Sequence, residues 1–382
     1  MSRVGMIFVV IVMLSIYGGV NYYIAGKIYQ WLSLVFPYLN TRLYIGIYIF
    51  AAFSMILVFL PLPFVVKNII SWLSAHWMGI FIYLLLFIVI ANLVILIGSM
   101  INLIPNPTPE SIYFYTGLIV ILLTTSFVTY GLYNANQIKH VSYDIQMKEN
   151  NLQEDIKIVL ISDLHLGAVN SEKRLKNIVK KINQLEPDIV SIAGDIFNDD
   201  YNAIQKPEEA IDLLSSIKTK YGVYGSLGNH DGGGTFDDMV RFLERSNIRL
   251  LSDEHVIIND EFILIGRVDP SPIGGFKGLQ RKEIADIITS IDDTNIPIVV
   301  MDHTPTKLEQ YDGIADLVLA GHTHRGQIFP GNLITNAIFE VDYGYYQKDA
   351  TSPHVIVSSG VGTWGMPMRV GSNNEIVSIT LH

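Results

Sequence analysis

Residues of the types that commonly bind metals, namely Asp, Asn and His, follow short apolar runs at five places in the second half of the chain. These places have the sequences SDLHLG, GDIFND, GNHD, MDHTP and GHTH. Their metal-binding types are, in chain order, Asp163, His165, Asp195, Asn229, His230, Asp231, His303, His322 and His324. The chain has no cysteine, which excludes disulfides, zinc–thiolate sites and a cysteine nucleophile. Histidine and carboxylate ligands without thiolates suit Mn, Fe or Zn.

The spacing of these residues indicates a shared cavity. Residues separated by one position point to the same side of an extended strand, so we expect Asp163 with His165, and His322 with His324, to face the same space. Seven of these nine residues, taken as ligands, would already exceed the needs of a single ion. They predict two divalent ions roughly 3.5 to 4 Å apart, a spacing that needs a bridging carboxylate, for which Asp195 is the candidate.

Alternating short apolar runs and helical stretches predict an α/β domain over 155–382, preceded by a polar linker over 136–154. The expected buried strands are 156–162, 188–194, 221–228, 261–268, 296–302, 315–321, 354–360 and 375–381. Each of the five polar groups follows one of these strands. Ligand sites of open α/β sheets lie beyond the carboxyl ends of the strands, where these groups are expected to meet.

The first 135 residues differ in composition from the rest. Of the whole chain, 50% is hydrophobic and only 16% is charged, and the charged residues of 1–135 are Arg3, Lys27, Arg42, Lys67 and Glu110. Four apolar runs, at about 4–26, 43–66, 78–104 and 111–135, are each long enough to cross a bilayer. They predict an α-helical transmembrane bundle of four spans in contact with the lipid bilayer.

The charge distribution bears on partners and on location. The net charge is −10, and the apolar segment contributes +3, which leaves −13 for residues 136–382. An acidic domain argues against a nucleic-acid partner. The prediction is a multi-pass protein of the cell membrane. Cytoplasmic placement of the domain puts three cations inside (Arg3, Lys67, Lys139) against two outside (Lys27, Arg42), a margin that leaves the side open.

Taken in order, the motifs D-x-H, G-D, G-N-H-D, H and G-H-x-H resemble the signature of the calcineurin-like metallophosphoesterase superfamily. The resemblance covers about 155–382 and implies a four-layer α/β sandwich, with two mixed sheets flanked by helices. GHTHRGQ and GVGTWGMPMRVGSNNEI are similar to a bacterial membrane-linked branch with phosphodiesterases and enzymes resembling UDP-2,3-diacylglucosamine pyrophosphatase. That branch typically has Gly where Arg325 stands and Pro where Asn374 stands.

The resemblance also implies roles for the residues. The first ion would be held by Asp163, His165, Asp195 and His324, and the second by Asp195, Asn229, His303 and His322. His230 would contact the phosphate as a general acid or a cation, with Asp231 supporting it. Arg369 and Arg325 are candidate phosphate clamps because the guanidinium fork matches phosphate oxygens. The family often has a second aspartate in GDxxD; here Asn198 stands there, with Asp199 beside it.

These features together predict a membrane-anchored phosphoesterase. The implied reaction is hydrolysis of a phosphodiester, pyrophosphate or phosphomonoester bond by metal-bound hydroxide, with manganese among the candidate metals. The apolar spans suggest a phosphorylated substrate that is lipid-linked or close to the membrane surface; alternatively, they serve only as an anchor. Two alternatives stay open, a non-catalytic metal-bound membrane sensor or scaffold and a nuclease on the same fold.

Overall fold

The computed structural model describes residues 3–147, 154–169, 172–291 and 296–382. The chain divides into two compact units, Met1–Tyr130 and Gly131–His382. The boundary between them lies inside a helix, five residues before its end. The first unit is helical, and the second unit contains both sheets.

Apolar helices make up the described part of the first unit. They are α1 Arg3–Val35, α2 Thr41–Leu57, α3 Phe64–Met100 and α4 Glu110–Ala135, whose last turn belongs to the second unit. Within the described residues, three helices are long and apolar enough to cross a membrane, namely α1 from Ile7, α3 and α4. The chain is therefore membrane-associated.

The prediction of four spans is not confirmed, because α2 has only 17 residues. At 1.5 Å per residue it is about 26 Å long, slightly less than the roughly 30 Å of a bilayer core. The run predicted over 43–66 stops being helical after Leu57. Pro61 and Pro63 explain this, since proline has no amide hydrogen to donate within a helix. Helix α3 begins directly after Pro63.

Two six-stranded mixed sheets form the second unit. Their strands are β1 Ile138–Ile145, β2 Ile156–Ile161, β3 Ile189–Ala193, β4 Val223–Ser226, β5 Ile248–Leu250, β6 Glu254–Ile258, β7 Phe262–Gly266, β8 Ile298–Met301, β9 Leu317–Ala320, β10 Gly344–Tyr346, β11 His354–Val357 and β12 Asn374–Leu381. The first sheet has the order β1-β12-β2-β3-β4-β5 and the second β10-β11-β9-β8-β7-β6. All eight predicted strands are present.

Apolar residues hold the layers of this unit together. Leu160 and Ile379 of the first sheet pack against Val299 and Leu319 of the second, which places a buried core between the sheets. Helices α5 Glu172–Gln184, α6 Pro207–Ser215 and α7 Phe236–Arg245 cover the outer face of the first sheet. Helix α8 Ile284–Ile288 covers part of the second sheet. The order of layers is helices, sheet, sheet, helices, as the resemblance implied.

The segment predicted as a linker, 136–154, contains a strand of the first sheet. Strand β1 pairs in parallel with β12 from Ile138 opposite Asn374 to Ile145 opposite Leu381. Its sequence, IKHVSYDI, has polar side chains between apolar ones, and several of them are exposed. A strand at the edge of a sheet needs fewer apolar residues than a central strand, which is why the sequence resembled a polar connection.

Candidate metal centre

The five polar groups lie at the carboxyl ends of neighbouring parallel strands. Strands β2, β3 and β4 are parallel neighbours in the first sheet, and β8 and β9 are parallel neighbours in the second. Their carboxyl ends therefore deliver side chains to one side of the two sheets. The prediction that these groups meet is consistent with the strand order.

From the sequence, we expect an extended backbone at the predicted ligands. The backbone there is instead left-handed at five of them. Asp163, His165, Asp195, His322 and His324 have φ angles of 55°, 46°, 52°, 71° and 49°, all in the left-handed region. Residues other than glycine rarely adopt this region, and such strain concentrates at functional sites. The side chains after β2, β3 and β9 therefore leave a left-handed backbone, rather than alternating along an extended strand.

One group of potential ligand atoms comes from the turns after β2 and β9. The Nε2 atoms of His165 and His324 lie 3.1 Å apart. The Oδ1 atom of Asp163 is 3.3 Å from the Nε2 of His324 and 3.9 Å from that of His165. All three residues are buried, and their ligand atoms lie within 4.8 Å of one another.

A second group lies beside the first. The Nε2 of His303 is 3.1 Å from Oδ2 of Asp195, and Nδ1 of His322 is 2.9 Å from Oδ1 of Asn229. Ligand atoms of Asp195, His303 and His322 also lie within 4.8 Å of one another. The same Oδ2 of Asp195 is 3.6 Å from Nε2 of His165 in the first group. Asp195 thus stands between the two groups, where a bridging carboxylate would be.

The chemistry of this donor set fits two divalent ions. The Nδ1–H of His303 donates to the carbonyl of Ala193 at 2.8 Å, which leaves Nε2 as the ligand atom. This buried Nε2 makes no well-aligned hydrogen bond to any described residue, although Asp195 is close. Buried polar atoms normally have a partner, so this cluster of potential ligand atoms fits bound cations.

Burial controls the protonation of the histidines. It lowers the pKa of His165 to about 3 and that of His322 to about 4, and it holds the pKa of His324 well below its usual value. Burial also opposes a charge on His303, but the carboxylates of Asp195 and Asp163 outweigh it and raise its pKa well above normal. Three imidazoles are therefore neutral at pH 7, the form that binds metals.

The ring of His230 lies beside this centre and contacts a different aspartate from the one expected. Its Nδ1 is 2.7 Å from Oδ1 of Asp199, and its backbone amide donates to Oδ1 of Asp195 at 2.8 Å. Burial lowers the pKa of His230, but the hydrogen bond to Asp199 and the charge of Asp195 outweigh this and raise it overall. The sequence pointed to Asp199 only as the acidic neighbour of Asn198.

Asp231 has another task. Its Oδ1 accepts the amide of Phe197 at 2.9 Å, and its Oδ2 accepts the amide of Gly228 at 2.8 Å. The predicted support of His230 by Asp231 therefore needs correction, because the carboxylate of Asp231 ties together the turns after β3 and β4. Gly228 is required in that turn, since a Cβ there would lie 2.2 Å from the backbone nitrogen of Asp195.

The two arginines predicted as phosphate clamps each contact other groups of the protein. Arg369 is 0% exposed, and its guanidinium donates to the carbonyls of His324, Ser359 and Gly362. Because it is buried, Arg369 cannot contact a substrate, and the prediction that it clamps a phosphate is corrected. It holds backbone carbonyls inside the protein instead. Arg325 lies over the ring of Tyr343 at 4.3 Å from its centre, a cation–π contact.

A cavity of about 370 Å³ opens at the metal centre. Its polar side includes Asp195, His230, His322 and His324. Its other side is formed by Trp364 and by residues of α9 Gly331–Ile338, including Ile334 and Thr335. The cavity thus joins potential metal ligands to an apolar wall, which the sequence did not reveal.

Comparison with known proteins agrees with this geometry. The family model described as calcineurin-like phosphoesterase matches residues 156–326. A transmembrane protein with metallophosphoesterase domain from Danio rerio is 28% identical over 334 residues, which are 82% of this chain and 74% of that protein. An uncharacterised metallophosphoesterase of Campylobacter jejuni is 30% identical over 270 residues, 69% of each chain.

Further likeness comes from a smaller relative and from a solved structure. An uncharacterised metallophosphoesterase of Aquifex aeolicus is 31% identical over 242 residues, 63% of this chain and 90% of that protein. The crystal structure of a dimetal phosphatase from Danio rerio is 13% identical, with a TM-score of 0.32, covering 54% of this chain and 87% of that one. That structural likeness is too slight to carry an argument.

Proposed function

Since the chain belongs to the calcineurin-like metallophosphoesterase family and is a metal-dependent phosphoesterase, we propose that it hydrolyses a phosphate ester or pyrophosphate bond of an amphiphilic, lipid-linked substrate. Its cofactors are two divalent metal ions. The observation that carries the proposal is the position of Asp195 Oδ2, 3.1 Å from His303 Nε2 and 3.6 Å from His165 Nε2.

The proposed ligand sets follow the two groups of side chains. One ion would be held by Asp163, His165, Asp195 and His324, and the other by Asp195, Asn229, His303 and His322. Bound there, the ions supply Lewis acidity toward the phosphoryl oxygens and lower the pKa of water at the reacting phosphorus. The neutral imidazoles keep their lone pairs available for this purpose.

His230 is proposed to hold the proton that the leaving oxygen receives. Its Nδ1 faces the carboxylate of Asp199, so Nε2 is the ring atom left to face the cavity. The nearby carboxylates of Asp199 and Asp195 favour the charged imidazole. In this form His230 can donate a proton and can also attract the anionic phosphate. Asp199 orients the ring, as carboxylates commonly orient catalytic imidazoles.

The apolar wall of the cavity supports a substrate with an apolar tail. Helix α9 buries no residue, and its Ile334, which lines the cavity, is 58% exposed. Trp364, 47% exposed, continues this surface beside His230, at 5.8 Å between ring centres. When the phosphate lies at the metal ligands, the group esterified to it lies against apolar side chains. Each methylene of that group that is buried there contributes about 0.8 kcal/mol to binding.

One kinetic experiment tests both parts of this proposal. The full-length protein in detergent is given methyl and octyl p-nitrophenyl phosphodiesters, each below its micelle-forming concentration. We expect hydrolysis that chelation abolishes and added Mn²⁺ restores, and a kcat/KM for the octyl ester about tenfold or more above that for the methyl ester, since two buried methylenes suffice for that factor. The variant Ile334→Ser should reduce this ratio, because Ile334 lines the cavity.

Ile257→Ser is the matched control, because Ile257 is a 43% exposed residue of β6, outside the cavity lining. An octyl-to-methyl ratio near one in the wild type would exclude the apolar-tail substrate while leaving the phosphoesterase reaction intact. Hydrolysis that survives chelation would contradict the metal-dependent reaction itself. Mn²⁺ binding without hydrolysis of any ester would favour the non-catalytic sensor or scaffold.

We also propose a multi-pass anchor with the catalytic unit on the cytoplasmic side. This orientation puts Lys67 and Lys139 with the catalytic unit if α2 crosses the bilayer together with α1, α3 and α4. The check is digestion by a protease added outside intact cells, which should leave the catalytic unit whole. Cleavage within the catalytic unit in unbroken cells would place it on the outer face.

A further inference from the structure

The last turn of helix α4 is hydrogen-bonded inside the catalytic unit. The side-chain amide of Asn134 donates to the carbonyls of Arg369 and Ser372 at 3.1 and 2.9 Å. The carbonyl of Gly131 accepts the amide of Arg369 at 3.0 Å, and that of Ala135 accepts the side-chain amide of Asn374. Asn134 is only 8% exposed, so these bonds are shielded from water.

Arg369 extends this network to a predicted metal ligand. Its Nη1 donates to the carbonyl of His324 at 2.8 Å, and its Nη2 lies 3.1 Å from Nδ1 of the same histidine. Its Nε donates to Oδ1 of Asn374 at 2.9 Å. Asn134 thus holds the backbone of Arg369, and the guanidinium of Arg369 contacts both the backbone and the ring of His324.

The other branch of the network reaches Asp163. Arg369 Nη2 donates to the carbonyls of Ser359 and Gly362, each at 2.7 Å. The amide of Gly362 donates in turn to the carbonyl of Asp163 at 2.8 Å. The intervening Gly360 has φ +83°, and a Cβ there would lie 2.7 Å from the Cβ of Asp163, so this loop packs directly on the ligand.

We propose that Asn134, at the end of an apolar helix of membrane-spanning length, is a positioning residue for the metal ion held by Asp163, His165 and His324. It holds the segment containing Arg369, and Arg369 holds His324 directly and Asp163 through the loop 359–362. The inference rests on the ligand sets proposed above. His303 of the other group is held separately, by the carbonyl of Ala193 at the end of β3.

The test compares Asn134→Ala with Asn136→Ala in the full-length protein. Asn136, the residue after α4, is exposed, and within the described part of the chain its side chain donates to the carbonyl of Leu132, which makes it a matched control. Mn²⁺ alone is titrated by equilibrium dialysis and fitted to two sites. In N134A we expect one dissociation constant to rise about tenfold, the lower end for residues that orient metal ligands, and the other to change less than about twofold.

A purely structural role for Asn134 predicts a different result. Loss of affinity at both sites to the same degree, or unchanged affinity at both, would overturn the proposal. If N134A is not recovered folded, N134S is measured in the same way, because its hydroxyl retains one donor at this position. A wild-type protein that binds no Mn²⁺ would instead contradict the proposed metal centre, so the two failures are distinguishable.

Discussion

Asp195→Asn is expected to lower kcat/KM by about 10³-fold or more, because metal ions contribute several kcal/mol to catalysis and each 1.36 kcal/mol is tenfold in rate. The substitution removes the one negative charge that faces both ligand groups. Its Oδ2 is close to His303 and His165, while its Oδ1 accepts the amide of His230. An amide in that place has a single acceptor oxygen and leaves the two ions without a shared anion.

The metal content should fall with the activity. Elemental analysis after dialysis is expected to find fewer than two ions per chain in D195N. Asp260→Asn is the control, since Asp260 is exposed in the turn between β6 and β7 and has φ 57°, a conformation that asparagine also adopts. Two fully occupied sites in D195N, with activity near that of the wild type, would rule out the bridging role.

His230→Ala should reduce kcat by roughly 10² to 10⁴-fold for an ester with an alkyl leaving group, the usual range for a general acid. An alkoxide needs a proton as it departs, whereas p-nitrophenolate departs without one. The loss should therefore be much smaller for a p-nitrophenyl ester. Because His230 is not in either proposed ligand set, the variant should keep two ions, as measured by elemental analysis.

The neighbouring aspartates give this experiment its controls. Asp199→Asn removes the charge that faces Nδ1 of His230, so it should show the same dependence on the leaving group to a smaller degree. Asp231→Asn removes one acceptor from the turn that joins Phe197 and Gly228, at a cost of about 1–3 kcal/mol in stability. Equal losses for both esters in H230A would mean that His230 acts by its charge, and an unchanged kcat would exclude it from catalysis.

The sequence allowed the strands and the grouping of the candidate ligands to be predicted, because both depend on local chemistry. Buried strands such as 298–301 are continuous apolar runs, and the polar residues after them are too unusual to be chance turns. The left-handed backbone at Asp163 and His324 was not foreseen, because the spacing of the motifs was interpreted with an extended backbone. The partner of His230 was also missed, since Asp199 is 31 residues away in the chain.

Burial was the property that the sequence predicted least well. Arginines are usually exposed, so Arg369 was interpreted as a clamp for the substrate, yet its donors are all used inside the protein. Helix α9 is the opposite case. Its apolar residues would be expected inside the protein, but the helix buries no residue and lies beside the polar cavity. Both outcomes depend on which distant segments pack together, and a single sequence does not contain that information in a local pattern.

The pairing of β1 with β12 limits how the enzyme can be shortened for study. Strand β12 is nearly all buried, and β1 covers its outer edge along all eight residues. A fragment that starts at the predicted domain boundary, residue 155, would leave a row of unpaired amides and carbonyls on β12, open to a strand from another copy. Such a fragment should aggregate, and even one starting at 136 would lack Asn134. The shortest catalytic unit therefore begins within the last turn of a membrane helix.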